Sequence, residues 1–496
     1  MKKYLKTVFL HLDGIALSPI YETLNSHSID EYIMSSNKFK PNHIIDKYKA
    51  NSGYFNIVLK ILEAQGVIKR NKTDNYLKVT DFGKEILSKA NLFKGFKNYY
   101  DESNNLIKND CADADSIKKH FNLIENSYNS IKNNDNLIKN YLEGGLVAPI
   151  VILYSFKDRK EFPDFVVNFL QNANLINLHN KPTKKGEYIF SKCHAYGVPT
   201  SYIKTFSHLD DLLFGDFKKI WIKDSFNNEY HVNRALNVWG SGKSHKNYFK
   251  HIDKFIYQIF NKPLEQQPLG ISDMGCGDGT FLLHLYDFIK ENTLRGKNLK
   301  THPIHLVGAD YNQEALQATL QTFKNADIKP LTIVADIANP DAFNKNLKNL
   351  HNIKLSELLN VRTFLDHNRS YTSTEICTEK YNKTSDYSFC WKGKKINATD
   401  IQDNLIAHFK RWKRLTSKYG LILIELHSTG IKDTQNNIGT IPMISYIATH
   451  GFSDQFIVEH NIYKECIKKA GLNILEKFEV TYPNQSLKMV SIHMLN

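Results

Sequence analysis

The residues with the clearest chemistry are Asp273, Gly275, Cys276, Gly277 and Gly279, in the run Asp-Met-Gly-Cys-Gly-Asp-Gly. An apolar stretch from Gly270 precedes them and Thr280-Phe-Leu-Leu follows, so the pattern reads as strand, glycine turn, helix start. Such a turn lets a ligand approach bare backbone at a helix N-terminus, where N–H groups lack partners. The spacing is Asp-x-Gly-x-Gly-x-Gly, not the dinucleotide G-x-G-x-x-G, because the last glycine comes one position early. Two more apolar runs, His305 to Asp310 and Leu331 to Asp336, also end in an acid. An acid at the tip of a second parallel strand can accept both hydroxyls of a ribose.

In order and approximate spacing, Asp273, Asp310 and Asp336 resemble the three strand-tip acids of class I S-adenosylmethionine (SAM) methyltransferases. The resemblance implies a Rossmann-like α/β core with a seven-strand sheet, and SAM as cofactor. It implies that Asp273, Gly275, Cys276, Gly277 and Gly279 cradle the amino-acid part of SAM. Asp310 would take the ribose and Asp336 the adenine, with Tyr311 and Ile337 beside them counted among the cofactor-binding residues. Cys276 is then a turn residue, not a nucleophile. The long connection from Gly279 to Asp310, with its basic loop Glu291 to His302, reads as an insertion at the end of the first helix.

Methyl transfer from SAM is an in-line displacement whose leaving group is built in, so the protein must position the acceptor and often deprotonate it. The fourth strand, Glu357 to Phe364, lacks the Asn/Asp-Pro-Pro-aromatic motif of enzymes that methylate base amines. A histidine near its tip suits a general base for an O–H or an acidic C–H, since imidazole titrates near neutrality. A carboxylate beside it would orient the ring and stabilise its cation. This resembles the His–Glu pair of polyketide-synthase C-methyltransferase domains, where His follows an Asn-Val at the fourth strand and Glu ends the fifth. The resemblance maps onto His367 and Glu425. His367 lies farther past Asn360-Val361 than in that pattern, and a polar insertion (Thr372 to Thr399, read as a lid) stretches the gap to Glu425. His427 and His450 therefore stay open as alternatives, and Asp366 is a further catalytic candidate. No His, Cys or acid cluster has ligand spacing in the sequence, so no metal site is expected.

Elements that position these residues are expected in two halves. The N-terminal half carries an internal repeat: His11 to Ile20 matches Tyr141 to Ile150, Phe55 to Ile68 matches Phe165 to Ile176, and Val79 to Ile86 matches Pro182 to Ile189. Helix, short strand, turn, then Thr-x-x-Gly and another helix is a winged-helix-like pattern. Its candidate recognition helices, Tyr54 to Gln65 and Phe165 to Asn172, are apolar and poor in Arg, so dimerisation and a substrate-pocket wall are expected rather than DNA reading. The expected domains are 1–98 and 141–230 for the repeats, 99–140 for a polar helical linker, 231–261 for a Gly-Ser-Gly turn and helix, and 262–496 for the catalytic domain.

With 42% hydrophobic and 23% charged residues, the composition is that of a globular protein, which excludes a disordered or fibrous chain. The net charge of +14 favours an acidic partner. The polyketide-like resemblance supplies one, an acyl chain on an acidic carrier protein, with a small-molecule acceptor as the other case. Nucleic acid is the less expected partner, since lysines are spread along the whole chain. Cys111, Cys193, Cys276, Cys377, Cys390 and Cys466 show no C-x-x-C spacing and fit reduced thiols, hence a cytoplasmic location. Lys6, His11 and Asp13 break up the apolar start, so no signal peptide is expected, and no uninterrupted apolar run is long enough to span a bilayer.

Overall fold

The computed structural model describes residues 2–71, 73–131, 136–224, 229–372, 381–483 and 487–496. The chain forms two compact units. The first comprises Met1–Ser241, Tyr387–Ile396 and Gly430–Asp454; the second comprises Gly242–Asp386, Asn397–Thr429 and Gln455–Asn496.

The first unit is mostly helical. Its centre is a pair of helices, α1 (Lys2–Ser26) and α2 (Asn136–Ser155), each with a proline inside, Pro19 and Pro149. These prolines correspond in the sequence repeat, and so does the crossing. A Cβ on Gly14 would lie 2.4 Å from the Tyr141 carbonyl oxygen, and one on Gly144 would lie 2.3 Å from His11 Cα. His11 aligns with Tyr141 and Gly14 with Gly144, so the helices cross about a local pseudo-two-fold, each glycine seated on its counterpart's turn.

The later repeat segments match as closely. Thr80 caps Asp81–Leu87 by accepting from Gly83 N, and Thr183 caps Lys184–Ser191 by accepting from Gly186 N. Thr80 N donates to the Val67 carbonyl and Thr183 N to the Leu175 carbonyl, both at 3.0 Å. The helix Ser52–Gln65, one of the two candidate recognition helices, is buried on nearly every side, so it has no open face for a groove. The described residues of the segment 99–140 are largely helical, in Phe96–Asn109 and Ala114–Ser130. Leu137–Ser155 is long and apolar enough to cross a membrane, and 78% of that window is buried inside the protein, as in a core helix.

The second unit is a seven-stranded sheet. Its strands are β1 (Gly270–Met274), β2 (His305–Asp310), β3 (Leu331–Val334), β4 (Leu359–Thr363), β5 (Leu421–Leu426), β6 (Val480–Tyr482) and β7 (Val490–Leu495). The order is β6-β7-β5-β4-β1-β2-β3. Strands β1 to β5 pair in parallel, while β7 runs antiparallel to both β5 and β6. Both faces are covered, as a parallel sheet requires. One layer packs Phe249, Ile252 and Ile256 of α3 (Arg234–Phe260) with Leu282, Leu285 and Ile289 of α4 (Thr280–Asn292) against Ile271, Val361, Ile422 and Ile492. The other packs Phe343, Leu347 and, from α5 (Ala398–Thr416), Trp412 against Met274, Val307 and Ile333.

Three local expectations are corrected. Gly240-Ser-Gly242 is no turn, because it lies inside the continuous α3. Gly240 is there for close packing: a Cβ on it would lie 2.8 Å from Gly197 Cα. Strand β4 starts at Leu359, after a short 3₁₀ turn Leu355–Glu357, and β3 stops at Val334, two residues before Asp336. Apart from these, the basic loop is anchored by the buried Arg295 guanidinium, which donates to Gln267 Oε1 and to the Pro268 and Pro303 carbonyls. Residues 373–380 of the polar insertion lie outside the described residues.

Candidate functional site

The β1–α4 turn is built by three glycines with positive φ: Gly275 (83°), Gly277 (54°) and Gly279 (74°). A side chain in that region is strained, and the first and third sites have no room for one. A Cβ on Gly275 would lie 2.7 Å from Leu365 Cδ2, and one on Gly279 would lie 2.8 Å from Thr319 Cγ2. At Gly277 the space is open, which is where a ligand can meet backbone. Gly277 N donates to Asp310 Oδ2 at 3.2 Å, and Asn312 N donates to Oδ1 at 3.0 Å. Cys276 Sγ lies 3.3 Å from Thr319 Oγ1, and burial pushes its thiol pKa up, which suits a packed turn residue and not a nucleophile.

Asp273 is buried, and its Oδ1 has no hydrogen-bond partner among the described residues. Burial, then the charges of Asp310 and Asp278, push its pKa to about 8. A buried, unsatisfied carboxyl beside other acids is costly on its own and suits a ligand that brings positive charge. SAM carries an ammonium and a sulfonium, so the residues present fit it. Asp336 lies past β3 with Oδ1 accepting from Ala338 N at 2.8 Å, and Tyr311 is exposed beside Asp310. Ile337 is a core residue: its side chain packs with Met274 and Ile333, and its carbonyl accepts from the Trp412 indole at 3.0 Å. That side chain is spent on packing, and the neighbouring Asp336 presents a carboxylate.

The second half of the site lies along the same edge of the sheet. After β4, Phe364 takes φ 53°. That strained conformation, costing about 1–3 kcal/mol, swings the chain into a short turn, Asp366–Asn368. Glu425, near the end of the adjacent β5, grips this turn with both oxygens. His367 Nδ1 donates to Oε1 and the Asp366 N–H donates to Oε2, each at 2.6 Å. Leu365 of the same loop is the residue that abuts Gly275. The glycine turn and the His367 loop are thus in direct contact.

Asp366 faces the other way and is fully engaged. Its carboxylate meets Arg362 Nε at 2.8 Å, His408 Nε2 at 3.0 Å and the Tyr463 hydroxyl at 2.5 Å. Burial pulls its pKa up, but the Arg362 charge and the bonds from His408 and Tyr463 hold it well below the usual carboxylate range. Arg369 ties down the far side of the loop by donating to Asn404 Oδ1 and to the Asp366 and Ile401 carbonyls. His427 lies just past β5 but turns from this pair, with Nε2 2.6 Å from Ser491 Oγ. His450 belongs to the first unit, on Met443–Phe452, with Nδ1 2.6 Å from the Tyr446 carbonyl of its own helix.

Two features lay beyond the sequence reading. Arg362, His408 and Tyr463 surround Asp366 from three elements, and only the Arg362–Asp366 spacing is local. His427, His460 and His493 form a buried group with ligand atoms within 4.8 Å of one another, where sequence spacing suggested no metal-ligand cluster.

The AprA MT2-like domain family matches residues 229–493, more than half the chain, and the AprA N-terminal domain family matches residues 4–70. No curated protein matches the sequence at a significant level. Among solved structures, an O-methyltransferase family 2 protein from Planctomyces limnophilus in complex with apigenin aligns over 99% of this chain and 96% of its own, at 7% identity and a TM-score of 0.42. The CurJ carbon methyltransferase aligns over 98% and 91%, at 9% identity and 0.36. The citrinin polyketide synthase CMeT domain aligns over 82% and 97%, at 12% identity and 0.33. These structural likenesses are distant. With a glycine turn, its strand-tip acids and the matched family spanning the same residues, the chain belongs to the AprA MT2-like family and is a SAM-dependent methyltransferase.

Proposed function

We propose that this enzyme methylates carbon or oxygen of a small molecule or of an acyl chain on a carrier protein, with His367 as general base. The observation that carries the reading is the Glu425 carboxylate, which bridges His367 Nδ1 and the Asp366 N–H at 2.6 Å each, beside the glycine turn. When bound, SAM supplies an electrophilic methyl group and its own leaving group. Asp273, Gly275, Gly277, Gly279, Asp310, Tyr311 and Asp336 would hold it, with Cys276 shaping the turn from within.

The chain's own contribution is proton removal. With Nδ1–H committed to Glu425, the lone pair sits on His367 Nε2, which takes the proton from an acceptor O–H or acidic C–H. Glu425 then stabilises the imidazolium. Asp366 acts as a positioning residue, since its carboxylate already meets three partners. The net charge of +14 supports an acidic carrier as partner. The repeated helix units of the first half, with their matching Thr80 and Thr183 caps, fit a winged-helix-like role in dimerisation. The described cysteines are all free, which supports a cytoplasmic setting.

The test is label transfer from SAM to two pools, a panel of 3-oxoacyl carrier proteins and total RNA, with Asp310→Ala as the blank. Label on the acyl carriers, cut roughly 10²–10⁴-fold by His367→Ala with SAM affinity kept, is the expected result. Label in RNA alone overturns the substrate class, and full turnover by His367→Ala overturns the base.

A further inference from the structure

Behind Glu425, three imidazoles converge from three elements. His427 follows β5, His493 lies in β7, and His460 opens α6 (His460–Lys469). All three are buried, and each offers a ring nitrogen within 4.8 Å of the others. The His460 and His493 rings stack with centroids 5.5 Å apart, and His427 meets His460 edge-on at 5.1 Å. Neither nitrogen of His493 has a hydrogen-bond partner among the described residues, although the side chain is fully buried.

A buried polar atom with no partner is uncommon and costly. An imidazole lacking one, aimed at two other imidazoles, needs an account that packing alone does not provide. Imidazole binds metal in its neutral form, and burial disfavours the protonated form of all three rings. Glu479 Oε1 lies 3.3 Å from His460 Nε2, the kind of carboxylate that fixes the ring of a ligating histidine.

We propose that His427, His460 and His493 form a binding site for one divalent transition-metal ion of the zinc class. Three nitrogen donors suit zinc, copper or nickel and not calcium or magnesium, which prefer oxygen. The ion would cross-link β5, β7 and α6. Tyr463, on α6, stacks on His493 and donates to Asp366, so the ion would also brace the helix that holds the His367 turn.

The probe is the metal itself. Protein purified without chelator and equilibrated with Zn²⁺ is expected to retain about one equivalent after desalting. Co²⁺ in its place should give visible bands of a low-coordinate nitrogen site. His493→Phe keeps the ring volume and removes both nitrogens. It should lose the bound metal and the cobalt bands while keeping SAM binding and cooperative unfolding, and His460→Gln should lose the metal likewise. Less than a tenth of an equivalent retained, no cobalt bands, or equal retention by His493→Phe would overturn the site.

Discussion

Asp273 shows how one buried carboxyl couples cofactor, pH and stability. Its pKa of about 8 in the cofactor-free protein lies far above the ordinary 3.8 because burial and two neighbouring acids disfavour the charge. The folded state therefore binds a proton that the unfolded chain releases above about pH 4. Stability contributed by that proton is present at low pH and is lost as pH rises from about 4 to about 8. Asp273→Asn should remove this dependence and raise the stability of the cofactor-free protein at pH 9 by on the order of 1–3 kcal/mol, read from urea unfolding at pH 5 and pH 9. A cation at the site prefers the carboxylate, so SAM binding should release a proton and tighten as pH rises toward 8, and the Asn variant should lose that trend. Identical pH profiles for the two proteins would remove Asp273 from the account.

At the scale of elements, the α1–α2 crossing carries a sharper test of the repeat than sequence matching does. Gly14 and Gly144 each meet the opposite helix's backbone at a would-be Cβ distance of 2.4 and 2.3 Å. Neither contact ends on a flexible side chain, so neither can yield cheaply. Gly14→Val and Gly144→Val should each destabilise the protein by about 1–3 kcal/mol, and by similar amounts, because they wedge the same crossing from opposite sides. The double variant should cost less than the sum, since the first wedge already separates the helices. Denaturant midpoints settle it, and strict additivity would mean that the two contacts are independent.

On the scale of the whole molecule, the notable fact is discontinuity. The family match begins at residue 229, yet Tyr387–Ile396 and Gly430–Asp454 belong to the first unit. Within that unit, Ser445 N donates to the buried Asp13, Tyr54 donates to Asp454, and Lys392 N donates to the same carboxylate. The helix Met443–Phe452 buries Met443, Ile444, Ile447 and Phe452 there. A fragment of residues 229–496 would expose these side chains and leave Asp454 without Tyr54. It should bind a hydrophobic dye and unfold without a sharp transition, whereas the full chain should not. A fragment that stays monomeric and melts cooperatively would refute this view of the fold.

The amino-acid order alone determined what rests on local backbone chemistry. Glycines at alternate positions after an apolar run dictated a left-handed turn, Asp310 closing an apolar run marked the tip of β2, and Thr-x-x-Gly specified two helix caps with matching bonds. Each of these is set by residues within a few positions of one another. The Gly-Ser-Gly segment misled for the same local reason, since glycines allow a turn but are also needed where helices touch, and only Gly197 on a distant segment decides which. The tertiary structure alone decided which side chains share a site. His367 and Glu425 meet because β4 and β5 are neighbours in the sheet. His427, His460 and His493 meet because β7 inserts antiparallel beside β5 and α6 packs near it. Strand order is a property of the whole folded chain, governed by how both faces of the sheet are covered, and no spacing along the sequence encodes it.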